Sequence, residues 1–242
     1  MTTMLDDLPA LHAAVQAYRT AASAAGLSWP AVGSASDGQP PQPVHLLFDV
    51  EHVAEQVTWL HSQGWHARRL LPNGGKLLPW PVGGDALDML SLSVGVPFPW
   101  RHQLPLFHFD VILYTFVLAG EHEGEIWRYE IAPDAWDAVR AATSLAALFS
   151  TWTKGIKCGV ITYHDANGWL SVSNGTRSGL DLLGEQAPHL DPLAFPVSVA
   201  LHPLLRTRQA ECGVDMNSVD RGFACMEELL DEIDAARVSL GG

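Results

Sequence analysis

Apolar residues first fall into register at Leu8, Leu11, Val15, Tyr18 and Ala22. Their three- and four-residue steps predict one side of a helix that ends before Gly26. The densest apolar run comes later, from Leu106 to Leu118, where aromatic and branched residues favour a single buried strand. Gly120-Glu121-His122-Glu123-Gly124 supplies two glycines for a tight reversal. In the arm that follows, Ile126, Arg128 and Glu130 alternate with Trp127, Tyr129 and Ile131, the pattern of a strand with two unlike faces. Pro133-Asp134 stops that strand and opens a short helix carrying Trp136 and Val139. Ser144 then caps a second helix, whose Leu145, Leu148, Phe149 and Trp152 share a face. The expectation is one packed unit, with Trp127 and Tyr129 beneath the amphipathic helix and the glutamates outside as a charged rim.

Weaker patterns surround this unit. Val44–Phe48 reads as a short strand, and Asp49 as the cap of a helix striped by Val53, Val57 and Leu60. Leu70 to Lys76 is a turn, Asp85 to Leu92 a short helix or strand, and Val96–Trp100 too rich in proline for a central strand. Cys158–Tyr163 and Trp169–Val172 read as strands joined at Asp165–Gly168. From Asn174 to His202 no element is predicted. Asp220 caps a last helix, with Phe223, Met226, Leu229, Leu230 and Ile233 on one face. Serine, glycine and proline between Gly33 and Pro43 make that stretch a linker. The fold class is therefore α+β: a mostly antiparallel sheet with flanking helices in a single domain over 44–242, preceded by an N-terminal helix and linker over 1–43.

Charge narrows the function. With 27 acidic against 14 basic residues the net charge is −13, which repels phosphate backbones, so nucleic acid is not an expected partner. The same field speeds encounter with a basic protein. Cys158, Cys212 and Cys225 are widely spaced and odd in number, which indicates reduced thiols in a cytoplasmic protein. Neither a leader nor a membrane-spanning run is expected, because the start has no basic segment and no apolar run approaches about 18 residues.

Candidate chemistry is sparse. Glu121, His122, Glu123 and Glu125 gather at the reversal, with His108 and Asp110 on the strand before it. Such a group can bind a cation or move protons if its members converge. A polar turn is the plainer reading, because no EF-hand register is present. His164-Asp165 with Cys158 suggests a thiol, base and acid, but an extended strand would hold the thiol and imidazole about 20 Å apart. His45, His52, His61 and His66 lack a His-Glu-x-x-His frame, and Asn73-Gly74-Gly75-Lys76 lacks phosphate-loop spacing. No catalytic residue, metal ligand or cofactor is assigned. Tryptophans beside prolines, Trp80 and Trp100 among them, suit core packing at least as well as a recognition surface.

The segment Val117–Tyr129, followed by Trp136 and Ser144–Phe149, resembles the SUKH superfamily, which includes bacterial toxin-immunity proteins and fungal cell-wall-assembly regulators. The likeness lies in Gly124-Glu125-Ile126-Trp127, similar to the family's Gly-x-Val/Ile-Trp step, and in the serine-led helix after it. Asn73-Gly74-Gly75 before Leu77-Leu78-Pro79 looks like the family's Asn-Gly turn. The match spans Leu70 to Trp152 and rests on structural positions. It implies a SUKH-like α+β domain without catalytic residues that binds a protein partner, such as a basic toxin domain neutralised by an immunity protein. Glu121, Glu123, Glu125, Trp80 and Trp100 are the expected partner-binding residues. The alternative is a hydrolase or metal-dependent enzyme using the acidic tip or His164 and Asp165. Self-association is left open.

Overall fold

A computed structural model describes residues 8–29, 55–65, 68–78, 100–109, 112–130 and 138–172, with four helical positions at 231, 234, 235 and 238. The first helix, α1 (Leu8–Ala24), buries Leu11, Ala14, Val15, Tyr18 and Ala22, the face that the spacing predicts. It ends in a Schellman turn. The Gly26 amide donates to the Ser23 carbonyl and the Leu27 amide to that of Ala22, satisfying two carbonyls the helix leaves free. Gly26 takes φ +114°, and a Cβ there would meet the Tyr163 ring at 2.9 Å, so glycine is required on both counts. Helix α2 (Glu55–Ser62) buries Val57 and Leu60 as expected. Helix α3 (Leu145–Lys157) starts where the sequence places it: the Ser144 hydroxyl accepts from the Ala147 amide at 3.0 Å, and Leu145, Leu148, Phe149 and Trp152 are buried.

Five strands form one antiparallel sheet in chain order. They are β1 (Lys76–Leu77), β2 (Gln103–Phe109), β3 (Ile112–Val117), β4 (Ile126–Glu130) and β5 (Ala138–Ala142). A separate hairpin joins β6 (Ile161–His164) to β7 (Trp169–Val172) through the predicted turn. The α+β class with a mostly antiparallel sheet is thus observed. Tyr18 ties α1 into the same core, its hydroxyl donating to the Leu70 carbonyl at 2.7 Å.

Several expectations are corrected. The run Leu106 to Leu118 is two strands: Phe109 pairs with Ile112 across residues 110 and 111. Both arms are buried, so no alternation marks where one ends. Pro105 sits at a bulge in β2, which accommodates a residue that cannot donate to the ladder. Val139 lies in β5, opposite Arg128, where a helix was expected; pairing with β4 overrides local propensity. Cys158 caps α3, and the following strand begins at Ile161.

The largest correction concerns the faces of β4. Phe149 and Trp152 of α3 meet Phe107 at 6.2 and 5.8 Å, and Trp152 meets Tyr114 at 6.1 Å, all near edge-on. Tyr114 is the partner of Arg128 in register, whereas Trp127 faces Thr115 and Tyr129 faces Leu113. Cross-strand partners point the same way, so α3 covers the Arg128 side and Trp127 and Tyr129 project from the opposite one. Yet Ile126, Trp127, Arg128 and Tyr129 are all buried. The expected polar side is a core side. There Arg128 donates to the Tyr114 hydroxyl, while opposite it Thr115 and Tyr129 both donate to Gln103 Oε1. Burial without such partners would be costly.

The strand at Val44–Phe48, the Asp49 cap, the linker and the boundary after residue 43 lie outside the described residues. So do the 85–92 element, Pro133, Asp134, Trp136 and the Asp220 cap. Of the last predicted helix, Asp231 and Asp234 are helical and exposed.

Two measurements follow from this packing. Trp152→Ala removes a ring buried against four others and costs about 3–5 kcal/mol, whereas Ser144→Ala loses one cap bond at about 1 kcal/mol; urea denaturation with an unchanged m-value gives both. Burial raises the phenol of Tyr18 above its ordinary 10.0, and likewise Tyr114 and Tyr129. The unfolded chain therefore loses these protons first as pH climbs. Stability is flat with respect to them below about pH 10 and falls above it, so phenolate absorbance should rise together with loss of far-UV dichroism.

Candidate functional site

The acidic reversal between β3 and β4 has a defined geometry because its backbone is closed on itself. The Val117 amide donates to the Glu125 carbonyl at 3.0 Å and the Gly124 amide to that of Val117 at 2.9 Å. Inside this clasp, the Glu123 amide bonds the Gly120 carbonyl and the Glu125 amide that of His122. Glu121 and Glu123 are exposed at the tip.

Glu125 behaves differently from its neighbours. Its carboxylate is 14% exposed and holds three groups: Oε1 accepts from Arg140 Nη1 at 3.1 Å, and Oε2 faces His122 Nδ1 at 3.2 Å. Oε2 also accepts the indole N–H of Trp127 at 2.9 Å. Arg140 reaches it because β5 pairs Arg140 with Trp127, and the His122 ring stands edge-on to Trp127. Glu125 is thus a clamp that joins the turn to β4 and β5, and the side chains it leaves outward are Glu121 and Glu123.

The other expected members do not join this group. His108 pairs with Leu113, toward the far end of β3 from the turn, and Asp110 lies outside the described residues. Among the described residues no three of His, Cys, Asp and Glu are placed to hold a metal ion. His61 is a core residue, its Nδ1 2.9 Å from the Val57 carbonyl one turn back. His45, His52 and His66 are not described. Trp80 is also outside the described residues, and Trp100 opens a short 3-10 helix, Trp100–His102. His164 and Asp165 are exposed where the β6–β7 hairpin turns, while Cys158 is half-buried at the end of α3. An open groove of about 790 Å³ beside α1 is lined largely by alanines, with Ile156 and Lys157 of α3; it shares no residue with the acidic turn.

No protein-family model, curated protein or solved structure matches the chain. The geometry of its own residues therefore carries the functional reading. None of the described helices is long and apolar enough to cross a membrane. Arg140 went unnoticed in the sequence because its neighbour Val139 was assigned to a helix, and a helix would not have brought it to Glu125. Glu125, expected as a contact residue, has both carboxylate oxygens engaged within the chain.

Glu125→Ala removes the carboxylate that accepts the Trp127 indole N–H, which should cost about 1–3 kcal/mol and shift that N–H resonance in a proton–nitrogen spectrum. Glu121→Ala and Glu123→Ala should each change stability by no more than about 0.5 kcal/mol.

Proposed function

We propose that the chain is a non-enzymatic, cytoplasmic binding protein of SUKH type that uses the acidic β3–β4 turn to hold a basic protein partner. The resemblance makes a toxin domain the class of partner to look for. The observation that supports this reading most is the division of labour within the turn. Glu125 fixes the loop from within, and Glu121 and Glu123 stand exposed on a backbone that is already ordered. A pre-ordered loop loses little conformational entropy when it docks. Two exposed carboxylates in a field of net charge −13 also steer a cationic surface toward themselves.

Acidic surfaces are common on soluble proteins, so the test must act on the turn itself. The full chain is immobilised beside a Glu121→Lys/Glu123→Lys variant with unchanged dichroism and Tm, and bound proteins are compared at low salt and at about 0.5 M salt, where exposed charges are screened. A partner held by the native chain, released by salt and lost from the variant is the expected result. A partner that binds the charge-reversed chain equally well contradicts the assignment.

A further inference from the structure

A second surface, of the opposite sign, lies where the β6–β7 hairpin rests on the turn at Pro72–Gly74. Asn73 Oδ1 accepts the Val172 amide at 2.8 Å, and a Cβ at Gly74 would come within 3.1 Å of the Trp169 ring. Together these fix that ring against the turn. Over it lies the guanidinium of Arg69, 4.4 Å from the ring centroid. Arg68 adjoins it, and both arginines are exposed. The Arg68 amide bonds the Trp65 carbonyl, Trp65 meets Trp29 at 5.4 Å, and Trp29 carries the guanidinium of Arg19 at 5.7 Å. Two arginine–tryptophan pairs thus flank one loop.

The pairing of charges makes the place unusual. The chain has nearly two acidic residues for every basic one, yet among the described residues neither Arg68 nor Arg69 enters an ion pair. An arginine lying over an aromatic ring has its plane restrained while the N–H edge stays outward. That edge matches a carboxylate in two parallel hydrogen bonds. Polyanions such as nucleic acids or anionic bilayers meet long-range repulsion from the net charge of −13. A short acidic segment on an otherwise neutral or basic protein meets much less.

We propose that Arg68, Arg69 and Trp169 form a docking point for carboxylate side chains of a protein partner. It is separate from the β3–β4 turn and does not require that turn to bind anything. The test uses the full chain labelled with nitrogen-15 and a blocked tetraglutamate peptide as probe, with inorganic phosphate as a second arm. The Trp169 indole resonance is assigned by its absence in Trp169→Phe. The peptide should shift that resonance and the Arg69 Nε–H saturably, and about 0.5 M salt should abolish the shift. Arg69→Lys keeps the charge but not the fork, and should weaken binding by about tenfold. Arg68→Ala, an exposed change that leaves the Trp169 pairing in place, should weaken it as well. Absence of any shift overturns the proposal, as does equal binding by both arginine variants. Tighter saturation by phosphate than by peptide overturns the carboxylate assignment.

Discussion

The packing of five rings, most of them meeting edge-to-face, is what the rest of this molecule depends on. Phe107 and Tyr114 on the sheet meet Phe149 and Trp152 on α3, and Tyr18 on α1 closes the set at 5.5 and 5.9 Å from those two. Each such pair adds about 0.5–1.5 kcal/mol beyond the area it buries. The geometry also has direction, because rings that meet edge-on fix the angle at which α3 crosses the strands. Once α3 is set, the chain leaves it toward β6, and the β6–β7 hairpin comes down on the turn at Pro72–Gly74. The arginine-bearing loop is therefore placed by the same contacts that place the core.

On the other side of the sheet a polar arrangement takes over from rings. Gln103 Oε1 receives hydroxyls from two different strands, Thr115 of β3 and Tyr129 of β4. A bond that is satisfied in only one register penalises a slip by even one residue. Farther along the same face, Trp127 hands its N–H to Glu125, so the strand that carries the interior bond of Tyr129 also carries one to the acidic turn. Core and candidate site are consecutive parts of one strand pair, and the turn is held by its backbone bonds together with the contacts of Glu125 to Trp127, Arg140 and His122.

Helices α1 and α3 were legible in the sequence, and the faces of the sheet were not. Spacing alone located α1, and a serine before an apolar run located the start of α3, since both signals are local. The tip glycines and the glutamates of the reversal were equally visible. The hairpin inside Leu106 to Leu118 was hidden because strands buried on both faces lose the alternation that would reveal a break. In β4 the alternation was visible but misleading: it set Arg128 on the face away from the helix, whereas Arg128 lies at 5% exposure against Tyr114. The division between Glu125 and its two neighbours depends on Arg140, which reaches it from β5 only after the strand pairing forms. The Arg69–Trp169 pair spans a hundred residues, so no local pattern announces it.

Helix α3 covers the face of the sheet carrying Phe107, Tyr114 and Arg128, leaving Trp127 and Tyr129 to the opposite face. A nuclear Overhauser experiment on chain labelled at its aromatic side chains reads this directly. Cross-peaks are expected from the Trp152 and Phe149 rings to Tyr114 and Phe107, and none from either α3 ring to Trp127 or Tyr129. Strong cross-peaks between Trp152 and Tyr129 would contradict it, and with it the route by which the acidic turn is held.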